Sequence, residues 1–164
     1  MARTFRPLVA TPNDPILGLQ RLVLGLVMFP HAAQKLFGWF GGGGLSGSYA
    51  FMNGMLGLPA PLAWLAIFAE IAGTFALLLG FLGRLGAAAI IAVQLGAVFL
   101  VHLQYGFFMN WSGQQQGEGY EFAVLVIVLA VAVLVRGSGA FSIDRALSPA
   151  DDVGAAYRTT RVGY

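Results

Sequence analysis

A few ionisable side chains stand inside stretches that otherwise carry almost none. His31, Gln34 and Lys35 recur at intervals of three and four residues, which places them on one face of a helix. Glu70, His102, Glu118 and Glu121 complete the set, with Gln94 as a neutral companion and Arg21 set apart. In hydrocarbon a charge costs about 2.5–3.5 kcal/mol near the span centre, so such residues face a bundle interior and mark function by default. Their chemistry would be hydrogen bonding and proton exchange, with histidines as donors and carboxylates as proton carriers. His31, Gln34, Lys35, Glu70, His102, Glu118 and Glu121 are therefore candidate ligand-binding or proton-exchange residues, and no residue identifies itself as catalytic. Each also has a plainer role taken singly. Lys35 and Glu121 lie near enough to an interface to snorkel into water, and for Arg21 and Glu70 the plainer role is a structural ion pair across a depth difference of roughly 10 Å.

The elements that must position these residues follow from composition. Of 164 residues, 58% are hydrophobic and 10% charged, against about 25% charged in soluble domains. A soluble enzyme, a disordered linker and a nucleic-acid-binding domain are excluded. Four apolar segments, about 16–38, 61–82, 85–108 and 119–136, each approach the roughly 20 residues that cross a bilayer as a helix. They show no two-residue alternation, so a β-barrel is disfavoured. The fold expected is an all-α membrane protein, a four-transmembrane-helix up-down bundle over residues 1–147 with a polar C-terminal tail at 148–164. The connection after the first helix opens with four glycines and continues through Phe51, Met52, Met55 and Leu56, a spacing that predicts a short interfacial helix in the first outer loop. Arg21 interrupts the first segment and argues against a cleaved signal peptide.

Seven of the nine Lys and Arg residues (Arg3, Arg6, Arg84, Arg136, Arg145, Arg158 and Arg161) fall on one side of four spans. The positive-inside rule then puts both termini in the cytoplasm. In that orientation Glu70 sits near mid-membrane, and His31, His102, Lys35 and Glu121 sit toward the outer face. A pocket open to the outer side is the economical arrangement. Glu118 and Glu121 share a face in the first turn of the fourth helix, and Gly38 leaves room above Lys35. The stripes Ala72, Ala76, Gly80 and Ala88, Ala92, Gly96 predict close packing of the second and third helices.

The segments HAAQKLFGWFGG (31–42), EIAG around Glu70, Gly80 with Arg84, His102 with Gly106 and Phe107, QGEGYEF (116–122) and GSGAFSID (137–144) occur in an order that resembles the DoxX family of small four-helix membrane proteins. Ser138 departs from it, standing where the closing motif often has proline. The resemblance implies association with membrane oxidoreductase complexes, as for DoxD of a thiosulfate–quinone oxidoreductase, more than catalysis by this chain alone.

The leading expectation is a small integral membrane subunit of a redox or respiratory complex in a bacterial inner membrane, contacting lipid and other membrane subunits and no nucleic acid. Its polar pocket would hold a quinone headgroup, with His31 and His102 as donors, Glu70 and Glu121 as proton carriers, and Phe37, Trp39, Tyr105 and Phe108 stacking on the ring. The alternative is a noncatalytic structural or assembly subunit of a larger membrane complex. A b-type haem between His31 and His102 is the lesser cofactor candidate, and a transporter or small channel a further class. There is no flavin, Fe–S or thiol motif, and Cys 0 removes thiolate metal sites and thiol relays.

Overall fold

The apolar segments fold as helices in a computed structural model, which describes residues 6–148. Arg3, Arg158, Arg161 and the tail from residue 149 lie outside the described residues. A short α1 (Arg6–Val9) leads into α2 (Pro15–Phe37), and α3 (Gly44–Tyr49) follows the glycine-rich turn. Three longer helices come next, α4 (Ala60–Leu79), α5 (Gly83–Ala97) and α6 (Glu121–Arg136), and then α7 (Ile143–Leu147). No strand occurs among the described residues.

Local chemistry sets the ends. Asp14 caps α2 by accepting from the Ile16 and Leu17 amides at 3.0 and 3.1 Å. Gly38 ends α2 at φ 73°, and Gly80 ends α4 at φ 62°, both left-handed stops that suit glycine. The turn between α4 and α5 is Gly80 to Leu82, so α4 ends before and α5 begins before the limits of 82 and 85 expected from the sequence. The short helix expected in this connection is present as α3, continued by a π-helical turn over Ala50–Met55. A second π-helical turn, Val98–His102, extends α5, and a 3-10 turn at Leu103–Tyr105 follows it.

The spans Pro15–Phe37, Ala60–Leu79 and Gly83–Tyr105 are long and apolar enough to cross a membrane. At 16 residues, α6 is shorter than they are. It begins at Glu121, so Glu118 stands in the preceding loop and not in the helix, contrary to the expectation of a shared first turn. The four long helices pack in a ring, α2 on α4, α4 on α5, α5 on α6 and α6 on α2. Leu24, Met28, Leu77, Ile90, Val126 and Val133 fill the centre, while Leu65, Phe68, Leu125 and Val128 face outward.

α4 and α5 do pack closely, but through a different face from the one expected. A Cβ on Gly86 would stand 2.6 Å from the Ala76 Cβ and 3.0 Å from the Gly73 carbonyl oxygen. Ala72 and Ala92 are exposed, and nothing lies within 4 Å of a Cβ built on Gly96. The contact is thus Gly73, Ala76 and Gly86, of which only Ala76 belonged to the predicted stripes.

Candidate functional site

Lys35 on α2 and Glu70 on α4 meet in the upper half of the bundle. Lys35 Nζ donates to Glu70 Oε1 at 2.7 Å, with the Glu70 side chain 5% exposed and that of Lys35 20% exposed. The suggested Arg21–Glu70 pair is not formed. The second carboxylate oxygen, Glu70 Oε2, accepts no hydrogen bond among the described residues. The pair lines a cavity of about 760 Å³ between the end of α2, the α3 segment, α4 and the upper part of α5.

Gln34 and His102 line the same cavity. Gln34 donates its amide to the Phe40 carbonyl at 3.1 Å, which fastens the glycine-rich turn to α2. Gly42 is pressed onto the Gln34 backbone there, with room for no side chain: its Cβ would stand 2.5 Å from the Gln34 Cα. His102 Nδ1 lies 2.8 Å from the Glu118 carbonyl oxygen. A carbonyl only accepts, so Nδ1 carries a proton, and in the corresponding tautomer Nε2 is the acceptor.

The other three candidates lie outside the cavity lining. His31 packs against Phe122 of α6, ring centroids 5.6 Å apart. Glu118 Oε2 accepts from the Asn110 amide at 2.7 Å, and Glu121 Oε2 from the Met109 amide at 3.2 Å. Both carboxylates therefore organise the loop before α6. Phe37 and Trp39 stack on each other at 4.9 Å, and Phe108 packs on Phe107 at 5.2 Å. Tyr105 lies against Gly117. The aromatic ring in the cavity wall is instead Phe51 of the interfacial segment, with Met52 beside it. No group of three His, Cys, Asp or Glu residues suited to a metal occurs among the described residues.

At the opposite end a second polar centre escaped the sequence reading. Arg21, 0% exposed, donates from Nε to the Ser138 carbonyl at 2.8 Å, from Nη1 to the Leu78 carbonyl at 3.0 Å and to that of Leu77, and from Nη2 to the Phe141 carbonyl at 3.0 Å. Asp144, 1% exposed, accepts from the Leu82 amide at 2.8 Å, the Gly83 amide at 2.9 Å and the Ser138 hydroxyl at 2.6 Å. Thr11 accepts from the Gly139 amide at 2.7 Å. The signal was present: an arginine inside an apolar helix with no acid at its depth must be satisfied by backbone carbonyls.

A family model described as DoxX matches residues 16–103, more than half of the chain. The match includes His31, Gln34, Lys35, Glu70 and His102 and stops before Glu118 and Glu121. No curated protein and no solved structure matches the chain.

Proposed function

The chain belongs to the DoxX family, and from that premise we propose that it is a small integral subunit of a membrane redox complex whose cavity takes a quinone headgroup. The observation that carries this reading is the Lys35–Glu70 pair in the wall of an otherwise largely apolar cavity. The pair is net neutral, so it suits an uncharged head better than a phosphate or carboxylate. It also sets a donor beside an acceptor. Lys35 has N–H groups beyond the one given to Glu70, and Glu70 Oε2 is free of protein donors among the described residues.

A bound quinone supplies two-electron, two-proton chemistry. Lys35 would hold a quinone carbonyl oxygen, while Glu70 Oε2 and His102 Nε2 would accept the hydroxyl protons of the quinol. Lys35 thereby takes the donor role expected of His31, and His102 serves as an acceptor in place of the donor role expected of it. Electrons would pass to or from a partner redox subunit. In the same reading α6 is the fourth span, and the end bearing Arg84, Arg136 and Arg145 faces the cytoplasm of a bacterial inner membrane with both termini.

Quinone titration of purified protein in nanodiscs tests the head site. His102→Ala should weaken binding about tenfold, and the pair replacement Lys35→Met with Glu70→Leu should abolish it. Wild-type affinity in both variants would sink the quinone assignment. Co-purification in mild detergent tests the partner. If depletion lowers the yield of a complex whose turnover survives both sets of substitutions, the chain is a noncatalytic assembly subunit instead.

A further inference from the structure

The cavity with the ion pair has an apolar neighbour, which bears on the shape of the ligand. Its wall between α4 and α5 includes Ala66, Ala69 and Gly96. Ala69 also lines a second cavity of about 460 Å³, which runs down the same side of the bundle past Ala72 and Ala76 to Leu79 on α4 and past Ala89 to Leu85 on α5. The groove has a physical cause. The two helices touch through Gly73 and Gly86, while alanines in front of that contact are too short to close the gap. From Ala69 to Leu79 it extends about 15 Å along α4, and no ionisable side chain lines it. At its head stands Glu70, 4% exposed, with Oε2 free of protein donors among the described residues.

We propose that this α4–α5 groove holds the apolar tail of the ligand whose head sits at Lys35 and Glu70, so the substrate class is a long-tailed lipid quinone that enters sideways from the bilayer. The inference rests on the quinone reading above and adds the tail and the route. The two cavities share Ala69 in their walls, which argues for this occupant over a second helix: a helix packed on the face would leave the ion pair's cavity unused, whereas one amphiphile reaches both.

The test compares decyl-benzoquinone with the same benzoquinone lacking its tail, on full-length protein in nanodiscs. Ala72 is exposed in the groove, so Ala72→Phe fills it without entering the core. Val128→Phe, on the outward face of α6, is the control. Ala72→Phe should weaken the decyl compound about tenfold and leave the tail-less one within twofold, while Val128→Phe changes neither. Equal behaviour of the two compounds in Ala72→Phe, whether both lose affinity or neither does, overturns the tail groove and leaves the head site standing. Failure of wild-type protein to bind either compound overturns the head site and the groove with it.

Discussion

Two cations, Arg21 fully buried and Lys35 half-buried, do different work at the two ends of the molecule. Arg21 is surrounded by carbonyl oxygens on three parts of the chain, α2's neighbour α4 and two points of the segment after α6. A planar five-donor fork can reach them together; an ammonium cannot. Arg21→Lys should therefore lower stability by about 2–4 kcal/mol, since each orphaned buried acceptor costs about 1–3 kcal/mol, and thermal unfolding in detergent would measure it. Lys35 instead meets a carboxylate, and its loss leaves Glu70 buried without its partner. Lys35→Met should cost about 3–5 kcal/mol, and adding Glu70→Leu should recover most of it, as expected when a buried pair is replaced by apolar residues. Equal instability of the single and double variants would show that the pair is not what holds Glu70 in place.

Among the elements, the α4–α5 contact separates two kinds of glycine. Gly86 sits where a Cβ would collide with Ala76 and Gly73, whereas Gly96 faces open space. Gly86→Val should destabilise by about 1–3 kcal/mol through overpacking, and Gly96→Val should be neutral or mildly stabilising through helix propensity; unfolding midpoints of the two variants decide it. Sequence spacing alone marked Gly96 as a packing residue and passed over Gly86. A four-residue repeat identifies a face of a helix, but which face meets a neighbour depends on rotation about the axis, which small residues on several sides do not fix. Helix existence was far more legible, because length and apolarity are local. The short helical segment over Gly44–Met55 was legible for the same reason. The start of α6 was not: Glu118 is drawn out of the helix by its bond to the Asn110 amide across the loop.

Taken whole, the molecule is a ring of helices locked at the arginine-rich end and open at the other. The lock is made by Arg21, Asp144, Ser138 and Thr11, which tie the N-terminal approach, the α4–α5 turn and the segment 137–147 into one unit. Asp144→Asn keeps the size but offers one acceptor oxygen where two are used. It should loosen the lock by about 1–3 kcal/mol and speed hydrogen exchange at the Leu82 and Gly83 amides. Unchanged exchange there would mean that Asp144 does not hold the turn. The open end carries the cavity with Lys35, Glu70, Gln34 and His102.

The sequence by itself determined that this is a membrane protein, roughly where its helices run, and that a few ionisable residues stand inside otherwise apolar segments. These are matters of composition and short-range spacing, so one chain is enough to read them. Only the tertiary structure decided that four of the seven candidate residues share a cavity, that His31 turns to Phe122, and that Glu118 and Glu121 build a loop. It also decided that Arg21 serves carbonyls and leaves Glu70 to Lys35. The physical reason is that depth along a helix is counted in residues, whereas the partner across the bundle is set by helix rotation and pairing, which depend on contacts between residues far apart in the chain.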